Sequence, residues 1–207
     1  MSQNTMRLFT QTTFIAMIAL AVLPFQACKK GPDDPVISLR SRTARLTGVW
    51  KLTKDESTTT IFRNGSLEST IVSSFDGAFR TVVTNKNNGS GSPEITTEKQ
   101  AYSATWSINK DHTLKMESIQ DGETYIREGT WVWLDGNGKD VKNKEVVKFL
   151  ISKETVQGTT ITTSGVKDGP TCILLRLAND EMQLDQSVTF DSEGYSTNTI
   201  GKQTFKQ

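Results

Sequence analysis

The feature that most constrains the fold is a succession of short segments in which apolar and polar residues alternate, separated by tight-turn sequences. The clearest segment covers 102–108, where the apolar positions are Tyr102, Ala104, Trp106 and Ile108. Such alternation is typical of a strand with one buried face, because successive side chains of a strand point to opposite sides. No segment after residue 45 has a convincing helical period, so the chain is predicted to be all-β.

Turn sequences divide this part of the chain into hairpins. Asn64-Gly65, Asp76-Gly77 and Asp121-Gly122 tolerate the positive φ angles of short hairpin turns. Two longer polar stretches, Asn85–Thr97 and Asp135–Lys144, are predicted to be loops. The order of segments predicts an antiparallel up-and-down meander of roughly eight to ten strands, which avoids exposed edges best by closing into a barrel. A β-sandwich is the alternative, because hairpin signals do not distinguish the two.

The segment Leu46–Leu52 is predicted to be the first strand, with Leu46, Gly48, Trp50 and Leu52 on its inner face. Its Gly-x-Trp resembles the opening strand of lipocalin-type barrels, and in particular of small bacterial lipoproteins with a lipocalin-like domain. The resemblance implies a lipocalin-like barrel over 45–207, Trp50 packed at the barrel floor, and a short leader helix. Asp34-Pro35 favours a helix over Val36–Ala44, since Asp suits the N-cap and Pro the first helical position.

An apolar run near the N-terminus, Phe14–Leu23, is too short to span a bilayer and is followed by small residues. This arrangement is typical of a signal peptide. Phe25-Gln26-Ala27-Cys28 resembles a bacterial lipobox, in which the cysteine is acylated and becomes the mature N-terminus. The resemblance divides the chain into a signal peptide (1–27), a tether with the possible short helix (28–44) and the barrel domain (45–207). Ordinary secretion, with cleavage nearby, is the alternative.

Lipidation of Cys28 implies a membrane as the first partner, reached through N-terminal acyl chains such as palmitate. The expected location is the cell envelope, in the outer membrane of a Gram-negative bacterium, because Lys29 rather than Asp follows Cys28. The periplasmic and surface sides both remain open. The cluster Arg40, Arg42 and Arg45 is predicted to be a solvated face or to contact lipid headgroups.

Charge and cysteine content exclude two classes of protein. With 24 Lys and Arg against 23 Asp and Glu, the chain lacks the basic excess of a nucleic-acid-binding protein. Once Cys28 is acylated, Cys172 has no partner, which excludes a disulfide scaffold.

The residues available for catalysis or metal binding are few. His112 is the single histidine and falls in a turn, and no Gly-x-Ser-x-Gly sequence supplies a nucleophile. Zinc would need more Cys and His ligands, and the loop at Asp135 lacks the oxygen ligands of a calcium site. The chain is therefore predicted not to be an enzyme, and no cofactor or metal site is assigned.

Aromatic residues remain as the candidates for function. Tyr102 and Trp106 share a face by alternation, and Met116 on the next strand can point to the same side. Together with Trp133, they are predicted to line a wall that binds a small apolar or amphiphilic ligand. The alternative is a structural or protein-interaction lipoprotein whose barrel is filled by its own side chains.

Acylation of Cys28 is directly testable by metabolic labelling with an alkyne fatty acid. The wild-type protein should be labelled and the Cys28→Ser variant should not, because the variant lacks the acceptor thiol. Equal labelling of both proteins would show that the acyl chain is attached elsewhere or not at all.

Overall fold

The structure of the protein is a computed structural model that describes residues 40–87, 89, 91–134 and 146–207, with backbone alone at 161–168 and 190. The signal peptide, Cys28 and the loop predicted at Asp135–Lys144 lie outside the described residues. Within the described part, the chain forms one short helix and ten strands. Their bounds are α1 (Arg42–Leu46), β1 (Gly48–Arg63), β2 (Ser66–Phe75), β3 (Phe79–Lys86), β4 (Glu94–Ile108), β5 (Thr113–Gln120), β6 (Glu123–Leu134), β7 (Val146–Val156), β8 (Thr159–Leu177), β9 (Glu181–Ser192) and β10 (Tyr195–Lys206).

Each strand pairs antiparallel with its neighbours in sequence, and β1 also pairs with β10, so the sheet closes into a barrel. This confirms the predicted all-β antiparallel meander, and the closure favours the barrel over the sandwich. The predicted turns are also confirmed: Asn64 and Asp121 have φ angles of 50° and 48°. Each is followed by a glycine of positive φ, as short hairpin turns require.

The barrel has two widths because β1 changes its partner along its length. The first residues of β1, Gly48–Lys51, pair with Thr105–Ile108 of β4, whereas 55–63 pair with β2. The hairpin β2–β3 is therefore inserted between β1 and β4 only in the upper half. At the level of Gly48–Lys51, which we call the lower end, the ring of described strands has eight members; above it the closed order contains all ten, although β4 pairs with β5 only from Tyr102 onwards. Since barrel diameter grows with strand number, the upper half is wider.

The lower half is filled by large apolar side chains. Trp50, Trp131, Phe149 and Phe205 are each fully buried there. The Trp50 indole N–H donates to the Leu46 carbonyl at 2.7 Å, so the polar atom of this buried ring is satisfied. Trp50 thus packs among core residues at the closed end, where helix α1 meets the barrel.

Helix α1 differs from the predicted leader helix. It covers Arg42–Leu46, with the Ser41 hydroxyl accepting from the Ala44 amide at 3.1 Å as N-cap; 36–39 lie outside the described residues. Leu46 consequently ends this helix and is not the first residue of β1. Its side chain is buried all the same, because the helix lies over the end of the barrel.

The arginines of α1 correct a second prediction. Arg42 and Arg45 are only 5% and 1% exposed, so they do not form a solvated face. The guanidinium of Arg45 donates to the carbonyl of Leu177 at the end of β8. A buried charge needs such hydrogen bonds, and this one joins the helix to the barrel. The sequence predicted exposure of Arg42 and Arg45 because the alternation pattern of strands gives no information about a helix that folds over the end of a barrel.

The polar stretch Asn85–Thr97 also differs from its prediction as a loop. Strand β3 continues to Lys86, β4 begins at Glu94, and these two residues pair across the hairpin. Main-chain hydrogen bonds extend the ladder although the side chains bury little. The same effect lets β10 begin at Tyr195, which pairs with Ser192 of β9 next to the turn between them.

The packing of Trp50 predicts that Trp50→Ala destabilises the domain by about 3–5 kcal/mol, because a fully buried indole is replaced by a cavity. Denaturant unfolding followed by circular dichroism measures the change. The matched control is Val49→Ala, since Val49 is 60% exposed and its loss should cost within about 0.5 kcal/mol. Equal midpoints for the two variants would contradict the assignment of Trp50 to the core.

Candidate functional site

A cavity of about 370 Å³ lies where the barrel widens from eight to ten strands. Nine of its fifteen lining residues are polar or charged, and the apolar ones lie mainly on the side of the filled core. We call this cavity the cup. Its lining consists of Leu52, Arg80, Tyr102, Ala104, Trp106, Met116, Glu117, Ser118, Gln120, Tyr125, Arg127, Pro170, Gln186, Gln203 and Phe205.

The floor of the cup is apolar. The Trp106 ring packs against Phe205 at 4.5 Å between centroids and edge-on against Phe149 at 5.3 Å. Met116 lies directly opposite Trp106 on β5, as a cross-strand pair. Trp106 and Met116 are buried to about nine-tenths, so the floor is the upper surface of the barrel core.

One wall of the cup is built from residues of the inserted hairpin and its neighbours. The Arg80 guanidinium on β3 lies 3.5 Å above the centroid of the Tyr102 ring. Its Nη2 is 3.5 Å from Oδ2 of Asp55, a carboxylate on β1 that is 4% exposed. Phe75 contacts the other side of Tyr102 edge-on at 5.5 Å. Stacking and charge therefore hold Arg80 against the wall of the cup.

Burial has the largest effect on the pKa of the Asp55 carboxyl. Desolvation raises the pKa of its carboxyl above the usual 3.8, while the Arg80 guanidinium and a hydrogen bond from the Gln203 amide lower it in part. Asp55 and Gln203 are cross-strand partners on β1 and β10. Together with Arg80 they form a polar group at the side of the cup.

The opposite wall carries a second ion pair. Arg127 on β6 contacts Glu154 on β7, with 2.9 Å between Nε and Oε1. A second cavity of about 390 Å³ shares Arg127, Pro170 and Gln186 with the cup, so the two cavities are adjacent. Pro170 lies at the point where the pairing of β8 with β9 ends, at Cys172 and Gln186. Because proline donates no ladder hydrogen bond, the two strands separate there.

The structure brings together three of the four residues predicted to bind a ligand. Tyr102, Trp106 and Met116 line the cup. Trp133 does not, and its grouping with them is corrected: its indole N–H donates to Thr43 Oγ1 of α1 at 3.1 Å. Its ring meets Trp131 edge-on at 5.8 Å at the closed end. Alternation predicts which face of the sheet a residue occupies but not its height along the barrel axis.

Several polar residues of the cup were missed from the sequence. Arg127 could have been found, since alternation along β6 puts it on the same face as Tyr125 and Trp131. Arg80, Gln186 and Gln203 carried no such signal, because the insertion of β2–β3 decides which strands face the cup. An arginine or glutamine in an isolated strand is most often solvent-exposed.

His112 and Cys172 are not among the residues that line the cup. His112 stacks on Trp131 with 4.6 Å between ring centroids, and its Nδ1 is 3.1 Å from the Trp131 carbonyl oxygen. Cys172 is buried, and desolvation, with a smaller effect of Asp185, raises the pKa of its thiol to about 12. A thiol of such a pKa is a poor nucleophile near neutral pH. Among the described residues no group of three or more His, Cys, Asp or Glu is arranged to hold a metal ion.

No protein-family model matches the chain, and no curated protein matches it significantly. Within the described part of the chain, no helix has the length and apolar character needed to cross a membrane.

The environment of Cys172 predicts that its alkylation follows unfolding of the barrel. In the Cys28→Ser variant, where Cys172 is the one remaining cysteine, iodoacetamide at about pH 8 should label the unfolded chain in urea and spare the folded protein. Mass spectrometry across a urea series measures the labelled fraction. Its midpoint should coincide with that of the circular dichroism transition, and rapid labelling without urea would show that the thiol is accessible.

Proposed function

We propose that the protein is a lipid-anchored binding module of the cell envelope that holds a small amphiphilic ligand in the cup. The observation that carries this proposal is the division of the cup into an apolar floor and a polar wall. The floor offers Trp106, Phe205 and Met116, and the wall offers amide, guanidinium and phenol groups. Ligand pockets commonly combine an apolar surface with a few polar groups that fix orientation.

The size of the cup agrees with a small ligand. About 370 Å³ lies within the usual range of ligand pockets, and the adjoining space near Pro170 extends it. The apolar part of the ligand rests on Trp106, while its polar end faces Arg80 and Gln203. A purely apolar ligand would leave these polar groups desolvated without compensation, so an amphiphile is favoured over a hydrocarbon.

The proposed anchor gives the barrel an orientation. Helix α1 and the first residues of β1 lie at the closed end, and the proposed acylation site, Cys28, precedes them in the chain. The membrane, proposed to be the outer membrane of a Gram-negative bacterium, then lies on the side of the closed end. The cup opens away from it, where a ligand from the aqueous phase reaches it freely.

A second candidate is a protein-interaction lipoprotein, and one observation favours it. The first half of β4, from Glu94 to Gln100, pairs with β3 on one side, whereas its pairing with β5 starts only at Tyr102. This leaves a sheet edge in the described part of the chain, next to the 63% exposed side chain of Ile95. Such an edge can accept a strand from a partner.

The two candidates are separated by the emission of Trp106, the one tryptophan of four that lines the cup. Native mass spectrometry of protein purified without detergent should detect a bound amphiphile. Titration with a panel of fatty acids, sterols and quinones should identify at least one class that changes the tryptophan emission to saturation, because a bound ligand contacts the Trp106 ring.

The Trp106→Phe variant should lose most of this change. The matched control, Trp133→Phe, should keep it, because Trp133 lies at the closed end against Thr43. Absence of both a retained mass and a saturable change in the wild-type protein would leave the interaction module as the better description.

A further inference from the structure

The orientation of the Gln203 side-chain amide determines which polar group of a ligand the cup accepts. Gln203 lines the cup and lies directly across the strand ladder from Asp55. The hydrogen bond from Gln203 lowers the pKa of the Asp55 carboxyl, as a donor does, so the end of the amide that faces Asp55 is its NH₂ group. The amide oxygen of Gln203 is then left for another partner.

The amide oxygen of Gln203 is then an acceptor in need of a donor. It is buried and receives no hydrogen bond from any described residue. The same holds for Oδ1 of Asp55. A buried acceptor without a partner is unfavourable by itself, and a ligand that supplies a donor removes the penalty.

The charged groups in the lining of the cup lie beside partners of opposite charge, although Nε of Arg80 is a buried donor without an acceptor among the described residues. Both guanidinium groups of the lining are paired with carboxylates: Arg80 with Asp55 at 3.5 Å, and Arg127 with Glu154 at 2.9 Å. Glu117, which also lines the cup, is paired with Lys115 at 2.8 Å. A ligand carboxylate near Arg80 would therefore meet the Asp55 carboxylate that already lies beside this guanidinium, and the repulsion between the two carboxylates disfavours it.

We propose that the polar end of the ligand is a neutral hydrogen-bond donor, a hydroxyl or an amide N–H, which donates to Oε1 of Gln203, and that Asp55 is the positioning residue that holds this amide. Free carboxylates bind less well. This inference rests on the proposed function, because it specifies the chemistry of the ligand in the same cup. Long-chain alcohols, sterols and fatty amides are the preferred class, and free fatty acids bind less tightly.

The test compares three ligands with the same chain and different polar ends: decan-1-ol, decanamide and decanoate. Isothermal titration calorimetry on the wild-type protein should give roughly five- to tenfold tighter binding of the alcohol and the amide than of decanoate, the ratio expected for about one hydrogen bond. Gln203→Met, which keeps the size but removes both polar atoms, should weaken the alcohol and the amide and spare decanoate. The control Gln183→Met changes a glutamine bonded to Glu181 and outside the cup, and should leave all three unchanged.

Asp55→Asn tests the positioning role. Asn can donate or accept, so the Gln203 amide is free to turn and present its NH₂ group to decanoate. The ratio between decan-1-ol and decanoate should fall towards one, a change that a general loss of stability would not produce. A ratio that survives Asp55→Asn would overturn the role of Asp55.

The remaining outcomes separate the two proposals. Decanoate binding as tightly as the alcohol in the wild-type protein would overturn the donor preference and leave an amphiphile-binding cup. Binding of none of the three ligands, together with no bound mass in native spectrometry, would overturn both. The comparison in the wild-type protein needs no variant, so it stands even where a substitution impairs folding.

Discussion

The structure depends on the change of partner made by β1. Its first four residues pair with β4, and from Asp55 onwards it pairs with β2. A register shift between Leu52 and Lys54 accompanies this change on the β10 side. Because the hairpin β2–β3 enters the sheet above this point, one continuous meander forms a narrow, filled half and a wide, open half. The upper surface of the core is therefore the floor of the cup, and Trp106 belongs to both.

The polar character of the cup follows from the same constraint. The residues that the hairpin and its neighbours bring inward are Asp55, Arg80 and Gln203, not aliphatic side chains. These groups can be buried because they interact with one another. Arg80 is paired with Asp55 and stacks on Tyr102, and the Gln203 amide donates a hydrogen bond to the same carboxyl group. Loss of one member of such a network destabilises the protein, because it leaves the others buried without a partner. The intact network fixes the direction in which each of its polar groups points. That fixed direction makes the cup selective for the chemistry of a ligand.

Much of the fold could be predicted from local signals, and the site could be predicted only in part. The alternation at 102–108 identified the inner face of β4, and with it Tyr102 and Trp106 in the cup. Trp133 was grouped with them wrongly, because a period of two residues says nothing about position along the strand axis. Arg42 and Arg45 were expected to be exposed, since their burial requires a helix folded over a barrel end, a contact between α1 and β8 that leaves no local pattern.

The sequence by itself determined the class of fold, since alternation and turn chemistry act within a few residues and favour hairpins over any helical alternative. It also determined the positions of the tight turns, through residues that tolerate positive φ. Only the tertiary structure decided where the barrel widens, which polar side chains meet in the cup, and which tryptophan reaches it. These outcomes depend on pairing between strands distant in the chain, such as β1 with β4 and β1 with β10. Their energies come from contacts that do not exist until the sheet has closed.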